Sequence, residues 1–73
     1  MQWLKDIRTV ADMTQEDVAK RAQIARAAYS NIEIGARRPS VAVAKRIGAV
    51  LDFDWTRFFE DTPERGDGAD QSA

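Results

Sequence analysis

Residues 14–40, TQEDVAKRAQIARAAYSNIEIGARRPS, decide how the rest of the chain folds. The stretch reads as two short helices joined by a tight turn, followed by a basic loop. Thr14 is placed to cap the first helix, and Asp17 stands three residues later, where a capping-box acid reaches back to the cap's N–H. Glu16 and Asp17 suit the positive end of the helix dipole. Val18, Ala19 and Ala22 make one apolar stripe, and Ile24 plugs the corner. A second helix from about Arg26 to Ile34 turns Ala28, Tyr29 and Ile32 inward, and Gly35 ends it through a left-handed exit. This is the layout of a helix-turn-helix.

Outward from that core, the N-terminal end reads as a helix from about Gln2 to Ala11. Leu4, Ile7 and Ala11 form its stripe, widened by Trp3 and Val10. Ala11, Asp12 and Met13 make a turn, with Met13 pointing inward. Downstream, Ser40 caps a longer helix to about Leu51, with Val41, Ala44, Ile47, Val50 and Leu51 facing the core and Lys45 and Arg46 on a solvated face. Asp54 is placed to cap a last short helix, Trp55 to Glu60. Four large aromatics within Phe53–Phe59 exceed what a small core absorbs. Phe53 and Phe58 are assigned to the core, whereas Trp55 and Phe59 are open to two roles, core packing or an interface with a second copy. The expected architecture is all-α, a five-helix domain over residues 1–60. Residues 61–73, rich in Gly, Asp and small side chains, are expected to form a disordered acidic tail, and their GDGAD is too short and poorly spaced for a calcium loop.

Residues 4–59 resemble the Cro/phage-repressor (XRE-type) helix-turn-helix family. The resemblance rests on Leu4, Ile7 and Arg8, on Thr14-Gln15, Val18-Ala19 and Ile24, and on Tyr29-Ser30-Asn31-Ile32-Glu33. Gly35, Arg37-Arg38-Pro39-Ser40 and the Ala44 to Leu51 helix complete it. It implies a compact lambda-repressor-like domain whose second motif helix enters the major groove of DNA. Arg26, Ala27, Ser30 and Asn31 then face base edges. Arg26 matches guanine O6 and N7, and Asn31 matches adenine N6 and N7. Ala27 meets a thymine methyl or permits close approach, and Ser30 serves a base or a phosphate. A solvent-facing helix of a protein-interaction domain is the plainer reading of the same surface.

The resemblance also assigns Thr14 and Gln15 to phosphate, with Gln15 often bracing the recognition helix as well, and it assigns Arg37 and Arg38 to flanking phosphates. It pairs Arg8 with Glu33, whereas by composition alone Arg8 is a surface arginine and Gln15 an ordinary helix-start residue. The core position of Tyr29 leaves its hydroxyl at most near the backbone. Departures from the family pattern are equally specific. Gln23 replaces a turn glycine at a cost of about 1–2 kcal/mol, and Ala25 replaces a Ser/Thr cap at about 1 kcal/mol. Met13 stands for leucine, Ile34 and Ala36 for asparagine and lysine, and Asp52 for a helix-ending glycine.

Composition narrows the function classes. The 73 residues allow one domain and contain no cysteine and no histidine, which excludes disulfides, thiolate zinc sites and Cys- or His-based catalysis. No phosphate-cradling glycine loop or nucleophile–base pair occurs, so no enzyme, metal or cofactor is expected. Nothing resembles a signal peptide or a spanning segment, so a bacterial or phage-infected cytoplasm, at the nucleoid, is the expected location and no membrane is involved. The net charge of -1 is unevenly spread: residues 1–58 hold ten Lys/Arg against seven Asp/Glu, and residues 59–73 hold one Arg against five acids. The expected function is a DNA-binding transcriptional regulator, a repressor binding a two-fold operator as a homodimer. The alternative class is a protein-interaction module, such as an antitoxin binding a toxin, and a regulatory protein partner is open under either. A restriction–modification controller shares the same chemistry.

Overall fold

The structure, a computed structural model, describes residues 1–60. The disorder expected of residues 61–73 lies outside the described residues. Among the described residues the chain is all-helical: α1 (Gln2–Val10), α2 (Gln15–Arg21), α3 (Arg26–Glu33), α4 (Val41–Leu51) and α5 (Arg57–Glu60).

The local signals in the sequence fix most of these boundaries. Thr14 Oγ1 accepts from Asp17 N at 3.0 Å while Asp17 Oδ2 accepts from Thr14 N at 3.0 Å, completing the capping box of α2. Ser40 Oγ accepts from Val43 N at 3.2 Å and opens α4. That helix stops at Asp52, which adopts left-handed geometry with φ 60°. Asp54 does not open a helix directly. Its Oδ1 accepts from both the backbone N and the hydroxyl of Thr56, at 3.0 and 2.8 Å. That local turn holds Trp55 and Thr56 out of the helix, and α5 starts only at Arg57.

Leu4, Val18, Ala19, Ala22, Tyr29, Ile32, Ala44, Ile47, Leu51 and Phe58 form the buried core. A fully buried side chain of the larger kinds contributes about 1.5–3 kcal/mol, so this short list carries most of the fold's stability. α2 is the central element, packing on both α3 and α4. Three expected core positions lie elsewhere. Val10 is 87% exposed and Ala11 is exposed, because α1 ends there and the chain turns away through Asp12 at φ 60°. Val41, the first residue of α4, is 50% exposed, since the stripe that meets α2 begins at Ala44.

The C-terminal end is closed by aromatic rings. Trp3, Phe53 and Phe58 meet pairwise at 5.3–5.5 Å between centroids, which seats α5 against α1. The 53–55 turn crosses α4 so closely that a Cβ at Gly48 would lie 2.8 Å from Phe53 O. Arg46 belongs to the tertiary frame and not merely to a solvated face: its Nε donates to Ala22 O at 2.7 Å. That bond satisfies a carbonyl at the negative end of α2 and ties the turn of the motif to α4.

Candidate nucleic-acid interface

The turn between α2 and α3 is made without glycine. Gln23 takes φ 62°, and Gln23 N and Ile24 N donate back to Lys20 O and Ala19 O at 3.2 and 3.0 Å. Ala25 sits in extended geometry before α3 and offers no side-chain cap. Both departures from good turn chemistry are therefore in place at the corner that aims α3.

What holds α3 in register is one carboxylate. Glu33 is only 5% exposed, yet it accepts four side-chain hydrogen bonds. Arg8 Nε and Nη2 donate to its two oxygens at 2.7 and 3.2 Å. Gln15 Nε2 donates at 2.7 Å and the Tyr29 hydroxyl at 2.9 Å. Arg8 Nη1 also donates to Met13 O at 2.8 Å, so the α1–α2 turn joins the same network. Helices α1, α2 and α3 thus converge on a single buried charge. Burial pushes the Glu33 carboxyl up, but the bonds from Arg8, Gln15 and Tyr29 together with the Arg8 charge outweigh it and hold the group below the usual carboxylate range. The Tyr29 hydroxyl is raised by burial and by its bond to Glu33. That hydroxyl meets a carboxylate and not the backbone, because the side chain runs one turn along α3 to the residue four places on.

With its inner face fixed, α3 presents Arg26, Ala27 and Asn31 as exposed residues, with Ser30 half-buried beside them. Arg26 and Ala27 lie on the first turn, and Ser30 and Asn31 follow one turn later. Arg26 shares an open groove of about 430 Å³ with Thr14, Gln15 and Glu16, so the start of α2 and the start of α3 face one space. Arg37 and Arg38, both exposed, do not join it. They border a second groove on the α4 side of α3, lined by Ile24, Ala28, Ile32 and Pro39. Trp55 and Phe59 are half-buried and stack edge to face at 6.1 Å, with Lys45 Nζ 5.3 Å from the Trp55 ring centre.

The electrostatics of this unit differ sharply from the net charge of the chain. From Val18 to Leu51 there are seven cations, Lys20, Arg21, Arg26, Arg37, Arg38, Lys45 and Arg46, against the single acid Glu33. That acid is buried and ion-paired, so it offsets nothing at the surface. Arg26 stands on the first turn of α3 and Arg37 and Arg38 follow its end, while Asp12 and Glu16 border the groove that Arg26 shares. Two contacts that hold this unit together lie beyond the reach of local sequence patterns. The Met1 nitrogen donates to Glu33 O at 2.6 Å, at the last residue of α3, and Arg46 reaches Ala22 across 24 positions. Neither bond has a nearby sequence partner to announce it.

Among the described residues no helix is long and apolar enough to cross a membrane, and no group of His, Cys, Asp and Glu side chains is arranged to hold a metal ion. A model of the family described as Helix-turn-helix matches residues 4–58. The chain is also similar to a Bacillus subtilis (strain 168) protein named Uncharacterized HTH-type transcriptional regulator YqaF. The two are 61% identical over 59 residues, which covers 81% of this chain and 78% of that protein.

Proposed function

The chain belongs to the XRE-type helix-turn-helix family, and from that premise we propose that it is a sequence-specific, double-stranded DNA-binding transcriptional regulator with no catalytic activity. The observation that carries this reading is the two-sidedness of α3. Its inner face is tied by Glu33 to α1 and α2, while its outer face offers Arg26, Ala27, Ser30 and Asn31. Rigid backing and an outer face that carries a guanidinium and an amide are what reading base edges requires.

In this reading Arg26 takes a guanine through its two-donor edge, Asn31 takes an adenine, Ala27 lies against a thymine methyl, and Ser30 completes the contact. Thr14 and Gln15 approach one phosphate strand across the groove they share with Arg26, and Arg37 and Arg38 approach another. The bond from Gln15 Nε2 to Glu33 uses one amide hydrogen and leaves the second for a phosphate oxygen. Two copies bind a two-fold operator, with Trp55 and Phe59 at their contact, and the protein represses by occupying the site in a bacterial or phage-infected cytoplasm, at the nucleoid.

Selection from a random duplex library near 0.15 M salt tests the proposal. Enrichment of inverted half-sites spaced about 10–11 base pairs centre to centre is the expected result. A folded protein that enriches no motif would instead point to the protein-interaction class.

A further inference from the structure

Val10 is the most exposed of the large apolar side chains among the described residues, at 87%. It does not stand alone. With Asp6, Ile7, Ala11 and Leu51 it lines an open groove of about 300 Å³ where the last turn of α1 meets the end of α4. The floor of this groove is aliphatic and no helix of the described residues covers it. A space of that size takes a few side chains from one face of a helix.

The groove is also electronegative. Asp6 is the one charged side chain that lines it. One of its oxygens accepts from Gln2 Nε2 at 2.9 Å, and the other has no partner among the described residues. Both helices end here, α1 at Val10 and α4 at Leu51, so the negative ends of two dipoles converge. The carbonyls of Val10, Val50 and Leu51 accept no hydrogen bond among the described residues, and Asp52 follows directly, exposed. The cations of α1 and α4 are engaged elsewhere. Lys5 and Arg8 line a different groove beside Glu33, Lys45 lies against Trp55, and Arg46 bonds Ala22 O.

We propose that this groove docks a cationic amphipathic helix of another protein. Its apolar side chains seat on Ile7, Val10 and Leu51, and its lysine or arginine meets Asp6 and the carbonyl ends of α1 and α4. Two occupants closer to hand have the wrong charge. A second copy in a two-fold contact would set Asp6 and two negative helix ends against their own equivalents. Residues 61–73 carry four acids against one arginine and hold no Leu, Ile, Val, Met or aromatic residue. None of the residues proposed to meet DNA lines the groove, so docking there does not consume them. The site stands independently of the DNA-binding reading and adds to it a surface on which another protein can act.

The probe is a synthetic peptide of about 14 residues with Leu at i, i+3, i+4 and i+7 spacing and Lys elsewhere. A twin carries Glu for every Lys. Added to the full chain at about 0.05 M salt, the Lys peptide should shift the backbone amide signals of Asp6, Ile7, Val10, Ala11 and Leu51, and the Glu twin should not. Val10→Ser should weaken the Lys peptide about tenfold. Asp6→Lys should weaken it by about the same factor, an effect that shrinks at about 0.5 M salt. Unchanged urea midpoints in both variants separate these losses from loss of the fold. Shifts confined to other residues, or none at millimolar peptide, overturn the proposal, and so does equal binding of the Glu twin. Shifts at these residues that follow protein concentration with no peptide present give the groove to a second copy and overturn it as well.

Discussion

Glu33 accepts four hydrogen bonds at 5% exposure, so the loss of a donor leaves a charge with nowhere to go. Arg8→Ala should cost about 3 kcal/mol, the lower end for breaking a buried pair, because Gln15 and Tyr29 still serve the carboxylate. At about 0.05–0.15 kcal/mol per residue, the described residues 1–60 carry about 3–9 kcal/mol, so urea unfolding of this variant should begin near zero denaturant. Arg8→Lys should not restore it, since one ammonium cannot span both Glu33 oxygens and Met13 O. The outer residues are expected to behave differently. Arg26→Ala should leave the unfolding midpoint unchanged and relax preference at one base pair by about 1–3 kcal/mol in quantitative binding to operator variants. Arg37→Ala should weaken all duplexes alike and flatten the salt slope by about one.

At the scale of elements, the α2–α3 corner is the weak joint. Gln23 at φ 62° and Ala25 without a cap bond each forgo stability that a small change restores. Gln23→Gly should stabilise by about 1 kcal/mol, the strain relieved being larger than the entropy added to the unfolded chain. Ala25→Ser should add about 1 kcal/mol by capping α3, and both gains are measurable as shifts in the urea midpoint. How well the sequence discloses an element follows the distance over which its signal acts. The α2 cap was legible because Thr14 and Asp17 are three residues apart. Periodicity marks the apolar faces of α1 and α4 but not where the neighbouring helix stops, so Val10, Ala11 and Val41 carry the pattern of inward residues and yet lie exposed. The bonds of Asp54 to Thr56 mimic a cap and shifted the start of α5 by two residues. The outward positions of α3, Arg26, Ala27 and Asn31, follow from register alone, while Arg46 at Ala22 O and the two grooves exist only once distant segments meet.

For the whole molecule, acid is the natural stress. Glu33, Asp17 and Asp54 all have carboxyls held below their ordinary range, by the Glu33 network, by the Thr14 backbone N–H and by the Thr56 hydroxyl respectively. A lowered folded value means that the unfolded chain binds more protons. The stability these groups supply is therefore complete above the unfolded carboxyl range, about pH 4, and is lost as pH falls through the folded values. The unfolding midpoint should stay level from about pH 7 to 5 and drop below about pH 4. Glu33→Gln should lower the plateau and flatten the drop.

The left-handed corners at Asp12, Gln23 and Asp52 have a consequence in time as well as in energy. A protease acts on the fraction of molecules that happen to be open, and each 1.4 kcal/mol or so of withheld stability enlarges that fraction about tenfold. Three corners turned without glycine should therefore hasten proteolytic clearance. Glycine at Gln23 should lengthen its half-life under a dilute protease several-fold, and in a growing cell it should hold the protein at a higher standing level with its synthesis unchanged.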